Sequence, residues 1–295
     1  MSDADQITIA SETIRATLSP LGAEMVRLQS ASRDLQWEGD PAVWNGRAPL
    51  LFPIIGALAG GRYRLGGETF ALPRHGFARR SAFALVAHDA AQVRFRLVAD
   101  EATRAVYPFA FVLDVAYAVE GAALAITATV ANDGEGPMPA SFGFHPAFRW
   151  PLPFRQGRAD HAIRFDHDEP AKIRRLDADG CLLPKAFPSP VVGRMLTLRD
   201  ALFVDDAVIF DQPVSRRVVY GAPGAPAIAV SFPAMPQLGI WSKPGAGFVC
   251  IEPWQGYADP AGFAGTLFEK PGVVTISPGG SHSFGMRIEL LPTFG

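Results

Sequence analysis

Between residues 109 and 130 the chain alternates strictly. Phe109, Phe111, Leu113, Val115, Tyr117 and Val119 fall on odd positions, and Asp114 and Glu120 fall on even ones. A period of two turns one face of a strand inward, whereas a helix would need a period near 3.6. Glu120-Gly121-Ala122-Ala123 then reverses the chain. Leu124, Ile126, Ala128 and Val130 resume the alternation, with Thr127 and Thr129 on the opposite face. The pattern predicts a long antiparallel hairpin.

The rest of the chain repeats that theme. Ile7–Ala10 and Thr13–Leu18 flank a short polar turn, and Arg62–Leu65 and Glu68–Leu72 flank Gly66-Gly67, a tight-turn dipeptide. Further strands are expected at Val93–Val98, Val218–Tyr220, Ile228–Phe232, Phe248–Ile251, Val273–Ile276 and Met286–Leu290. One short helix is expected near Asp100–Ala105. The 29 glycines and 26 prolines are spread without period, so they read as turns. No linker, repeat or low-complexity tract divides the chain. The expectation is one all-β domain over residues 1–295, a large antiparallel β-sandwich, because so many strands in one open sheet would twist it apart.

Composition excludes several classes. With 48% hydrophobic and 19% charged residues, the chain can bury a large core and is not disordered. Its 27 basic and 29 acidic residues leave a charge of −2, which argues against nucleic acid or an anionic membrane as partner. Two cysteines, Cys181 and Cys250, make neither a disulfide framework nor a metal knot. The start, Met1 to Gln6, is acidic and polar, unlike a secretory signal. No apolar run spans a bilayer, since the longest, Pro49 to Gly61, is broken by Pro53, Gly56 and Gly60. These features point to the cytoplasm. Nucleotide-cradling glycine loops and a Gly-x-Ser-x-Gly elbow are absent, so no cofactor is expected. Asp160, His161, Asp166, His167, Asp168 and Glu169 lie among charges and prolines and read as solvated strand and loop rather than a metal site. Arg174-Arg175 and Arg216-Arg217 read as surface pairs.

Three segments could carry chemistry. Leu72 to Arg80 mixes three arginines with His75. It is either a solvated basic loop or a cluster of directional donors for an oxygen-rich ligand. In Pro139 to Phe148, Phe142 and Phe144 share one strand face and Ser141, Gly143 and His145 the other. Two small residues beside His145 would leave room, as a pocket floor does; a core histidine bonded to a carbonyl is the plainer reading. In Phe248 to Gly256 the run is apolar on both faces up to Glu252, the pattern of an interior strand. Glu252 is then a carboxylate at the end of that strand, at a cleft or simply exposed before Pro253. Apolar neighbours would raise its pKa and a donor would lower it.

Taken together, these segments resemble the aldose 1-epimerase (mutarotase) family, in its LacX-like branch of the galactose mutarotase-like superfamily. The matching pieces are Trp44 to Pro53 with Gly56, Leu72 to Arg79, Gly143 to Phe148, Phe203 to Phe210, Cys250 to Gly256, Lys270-Pro271-Gly272 and Pro278-Gly279. They keep family order and cover about residues 7–291. The resemblance implies a β-sandwich with a sugar cleft, and cofactor-free interconversion of α and β anomers. It implies that Glu252 is the general base and His145 the general acid. It also implies that Arg47, His75 and Asp206 hold sugar hydroxyls, with Arg79 lining the cleft; Asp205 could replace Asp206. On this reading Glu252 is ionised at neutral pH, and His145 titrates near its ordinary ~6.5, raised by nearby carboxylates. A sugar ring would lie between the two. Gly46-Arg47-Ala48-Pro49 departs from the Arg-Gly-Gly-x-Pro piece of the hexose-6-phosphate branch, which favours a free aldose. A phosphosugar epimerase and a non-catalytic sugar-binding protein are the alternatives, and the oligomeric state is open.

Overall fold

The computed structural model describes residues 6–295, so the first five residues of the acidic start lie outside the described residues. The hairpin forms as strands Phe111–Glu120 and Ala123–Asn132, paired from Glu120↔Ala123 to Phe111↔Asn132. Phe109 stays outside the strand, its N–H bonded to the Tyr107 carbonyl. Leu113, Val115 and Tyr117 are buried, while Ala118 and Glu120 face solvent. The turn expected at Gly66-Gly67 has both residues at positive φ, 57° and 86°, as a type I′ turn requires. The helix runs Glu101–Val106, and its first turn is closed by the Asp100 carboxylate accepting from the Thr103 N–H at 2.7 Å.

Two large antiparallel sheets face each other. The nine-stranded sheet runs in spatial order Met195–Thr197, Ala162–Phe165, Arg217–Gly221, Ala227–Ser231, Ser281–Leu291, Ala123–Asn132, Phe111–Glu120, Gln92–Val98 and Ala84–His88. The six-stranded sheet runs Val208–Phe210, Gln237–Trp241, Phe248–Gln255, Phe142–Phe144 and Leu50–Leu51, with Ala147–Arg149 also paired to Phe248–Gln255. The inner faces meet in one apolar core. Phe142 of one sheet stacks on Phe284 of the other at 5.2 Å, and Phe210 meets Phe165 at 5.2 Å. Such pairs add about 0.5–1.5 kcal/mol each beyond the area they bury. Among the described residues, no helix is long and apolar enough to cross a membrane.

The Phe248–Gln255 strand links core to site. Val249 and Ile251 point into the main core. Phe248, Cys250, Glu252 and Trp254 occupy its other face, which is covered by loops and is equally buried. That double burial explains the unbroken apolar run in the sequence.

Candidate active site

The strand does not stop before Pro253, contrary to expectation; it continues to Gln255. The neighbouring chain explains why. Phe142–Phe144 pairs with it at Gly143↔Trp254, and Ala147–Arg149 pairs with it from Ala147↔Cys250. Ladder pairing lapses between them, and an Ile251 N–H to Pro146 carbonyl bond of 3.2 Å spans the interval. A proline is tolerated where a partner strand is interrupted. The register is the same on both sides of the break, so His145 stands opposite Glu252 on the same face. Facing residues in adjacent strands lie within side-chain reach, and His145 Nε2 is 3.1 Å from Glu252 Oε2.

The small residues near His145 have another purpose than the expected room. A Cβ on Gly143 would come within 2.7 Å of the Trp254 ring, and one on Gly239 within 2.4 Å. Gly143 lies opposite Trp254 and Gly239 opposite Glu252 on the two flanking strands. The two glycines therefore make the slot for the Trp254 indole, which becomes a wall of the cleft. Gly239→Ala should destabilise the fold by about 1–3 kcal/mol, the usual cost of overpacking, as read from urea unfolding. An unchanged midpoint would mean that the indole has space to move.

His75 arrives by a tight turn. His75 and Gly76 both sit at positive φ, 69° and 70°, and Gly76 N–H closes the turn on the Pro73 carbonyl at 2.9 Å. A Cβ at Gly76 would lie 2.2 Å from the Phe52 carbonyl oxygen, so only glycine fits. The His75 backbone N–H donates to Gly56 O at 2.9 Å, and Gly56 N–H donates to His75 Nδ1 at 3.1 Å. With Nδ1 accepting, the neutral ring carries its proton on Nε2. Burial pushes His75 well below its ordinary pKa, helped by His145 and Arg74. His75 is thus a fixed neutral donor, its ring 5.9 Å from that of His145.

His75, Arg79, His145, Asp206 and Glu252 line one open cleft of about 240 Å³. Asp206, not Asp205, is the lining carboxylate. It sits at φ 62°, its Oδ1 accepts from Ala207 N–H at 2.7 Å, and Arg175 Nη1 donates to the Asp206 and Ala207 carbonyls at 3.0 and 3.1 Å. Arg174 bonds Asp211 and the Leu183 carbonyl. These two arginines brace loops around the cleft and are not the free surface pair expected. Arg47 also departs from expectation. Its Nε donates to the Glu38 carbonyl at 2.6 Å, and it lines a separate groove with Gln36, Trp37 and Arg149. The backbone explains the direction: Arg47 and Ala48 N–H groups are both held by the half-buried Glu24 carboxylate. Arg74 takes a cleft position instead, 3.5 Å from Asp206.

Burial sets the electrostatics against the expected values. Glu252 is 1% exposed and His145 8%. Desolvation pushes Glu252 well above its ordinary pKa, and Asp206 adds to the rise while Arg74 opposes it. Desolvation pushes His145 down to about 3, and the Arg79 and Arg74 charges act in the same direction. Burial thus disfavours the charged form of each group. One proton between them, on the carboxyl, leaves both groups uncharged.

Trp44 and Trp241 complete the walls. Their rings lie 5.3 and 5.8 Å from that of His145 and 5.4 Å from each other. Neither stands out in the sequence as a site residue, and Trp241 has no local signal beyond its strand. Most of the acidic and histidine residues around 160–169 are committed elsewhere. His161 Nε2 accepts from Leu152 N–H, Glu169 caps the Val214 and Ser215 N–H groups, and Asp166 and Asp168 pair with Arg217 and Arg194.

Comparisons agree with this architecture. The aldose 1-epimerase family matches residues 5–265. Chromosomal protein LacX of Lactococcus lactis subsp. lactis is 28% identical over 293 residues, covering 92% of this chain and 95% of that protein. A galactose mutarotase related enzyme from Lactobacillus acidophilus superposes with a TM-score of 0.88 at 29% identity, covering 98% of each chain. A galactose mutarotase-like protein from Lactobacillus casei gives 0.90 at 28%, covering 97% of this chain and 100% of the other. With a β-sandwich, a buried histidine–glutamate pair in an aromatic cleft and a family match over most of its length, this chain belongs to the aldose 1-epimerase family.

Proposed function

We propose that the protein interconverts the α and β anomers of a free aldose by acid–base opening and closing of the ring. The observation that carries this reading is the buried His145–Glu252 pair, 3.1 Å apart at the floor of the cleft. Ring opening takes a proton from the anomeric hydroxyl and gives one to the ring oxygen. Those two oxygens share a carbon, so the acid and base must be neighbours; a ring need not fit between them. The pair's proton first passes from Glu252 to His145 across their hydrogen bond; the ionised Glu252 then takes the hydroxyl proton as His145 gives its proton to the ring oxygen. Rotation about the C1–C2 bond presents the other carbonyl face, and closure reverses both transfers. The pair begins and ends with one proton, so no net proton is consumed. His75 and Asp206 orient hydroxyls as donor and acceptor, and Trp44 and Trp241 pack against apolar sugar faces. Polarimetry of freshly dissolved α-galactose and α-glucose should show faster equilibration in proportion to protein added; no acceleration, with binding retained, would favour a sugar-binding protein.

A second reading rests on Arg74 and Arg79, which bring two guanidiniums to the cleft and could hold the phosphate of a hexose 6-phosphate. Asp206 lies 3.5 Å from Arg74 and balances part of that charge, which favours the neutral sugar. Parallel titration of galactose, glucose and glucose 6-phosphate separates the two. Phosphosugar binding at least tenfold tighter, or about 1.4 kcal/mol, and weakened by salt, would select the second.

The shifted pair also predicts the pH profile. A second proton enters the pair only near the lowered His145 value of about 3, and the remaining proton is held by a carboxyl whose pKa is raised. The active single-proton state therefore spans the neutral range. The expected kcat/KM shows no step at the ordinary histidine value of ~6.5. A titration of activity centred between pH 6 and 7 would show that burial does not govern the pair.

A further inference from the structure

We propose that His145, Cys250 and Glu252 form a binding site for a borderline or soft divalent cation, of the zinc and cadmium class, where the cleft-lining His145 and Glu252 meet the fully buried Cys250. One ligand atom from each residue lies within 4.8 Å of the others, and all three residues are buried. The sheet builds this triangle. Cys250 and Glu252 are two apart on one strand and share a face, and His145 stands opposite Glu252. An imidazole, a thiolate and a carboxylate are donors that such ions accept in tetrahedral sites, leaving a fourth position toward the cleft.

Two further observations point to a ligand. Among the described residues, His145 Nδ1 and Glu252 Oε1 are buried without a hydrogen-bond partner of ordinary geometry, as is Trp254 Nε1 beside Glu252, although buried polar atoms are normally satisfied. The thiol also lacks a packing reason. Cys250 sits among Trp37, Ala147, Ala246 and Phe248, contacts that any small apolar side chain would make. On binding, the ion bonds to sulfur, an imidazole nitrogen and a carboxylate oxygen. The thiol proton and the single proton of the His145–Glu252 pair leave, so two protons are exchanged for two positive charges and the buried net charge is unchanged. The ion then occupies the atoms that would handle the sugar's protons, so cation and sugar exclude each other. This exclusion rests on the proposed sugar reading; the cation site does not.

Cadmium titration of the full chain tests the site, with the ultraviolet sulfur-to-cadmium charge-transfer band as the readout. One ion per chain and a saturable band are expected. Cys250→Ser, nearly isosteric, should lose the band and bind cadmium at least tenfold more weakly. Glu252→Gln keeps the thiol and should also weaken binding at least tenfold. Cys181→Ser should leave both binding and band intact. A band that survives in Cys250→Ser or vanishes in Cys181→Ser, or no one-to-one binding, would overturn the site. Saturating galactose should weaken cadmium binding at least tenfold. Cadmium bound through Cys250 yet indifferent to galactose would leave the cation site standing and overturn the exclusion, and with it the placement of the sugar at this pair.

Discussion

Glu252→Gln is expected to remove most of the anomer-converting activity, about 10²–10⁴-fold, while galactose still binds. The amide keeps the shape of the carboxyl but cannot take the proton of the anomeric hydroxyl. Because the swap is nearly isosteric, it should disturb the packing little even though the side chain is only 1% exposed. His145→Asn should lose activity on the same scale, since the ring oxygen then has no donor. The two losses should not multiply in the double variant, because one proton serves both groups and groups acting as a unit are non-additive. Wild-type rates in either single variant would show that the transfers are handled elsewhere.

The largest expected effect on stability lies behind the cleft. Lys270 Nζ bonds Asp259 Oδ1 at 2.6 Å, with the two side chains 1% and 2% exposed. Asp259 Oδ2 also accepts from the Ala59 N–H at 2.9 Å. Lys270→Met would leave a buried carboxylate with one backbone donor in place of its ammonium partner. Removing one member of a buried pair costs about 3–5 kcal/mol, a large part of the total of about 5–15 kcal/mol for a typical domain. Urea unfolding should show the midpoint falling sharply. The pair also fixes the cleft wall, since Asp259 follows Ala258, which packs against Gly56 so closely that a Cβ there would lie 2.5 Å away. A midpoint close to wild type would mean that water reaches the carboxylate.

Local patterns were legible in the sequence, and relations between distant segments were not. The hairpin at 109–130 could be read because alternation is a property of neighbouring residues. The interior position of the strand bearing Glu252 could be read from an apolar run on both faces. His145 falls on the opposite strand face from Phe142 and Phe144, so its turn away from the core was visible. That it stands opposite Glu252 depends on register, which no local pattern encodes. Pro253 looked like a strand end because the lapse in its neighbour at His145-Pro146 lies about a hundred residues away. Gly143 looked like room for a sugar because the tryptophan that fills that room is equally remote. Arg47 belongs to a matching motif, yet the anchoring of its backbone by Glu24 sends the side chain to another groove. The electrostatics were misjudged for the same reason. Ordinary pKa values describe groups in water, and the depth of burial of His145 and Glu252 emerges only from the packed sheet and the loops over it.

Exchange NMR on an aldose at anomeric equilibrium tests the central claim most directly. It reads the interconversion of the two anomeric protons without any coupling enzyme or net change in composition. With wild-type protein, cross-peaks between the α and β signals of galactose or glucose should grow in proportion to protein concentration, and with Glu252→Gln they should fall back to the uncatalysed level. Cross-peaks that stay at the uncatalysed level with wild-type protein, for both sugars and for their 6-phosphates, would contradict the assignment of an anomer-converting site to His145 and Glu252.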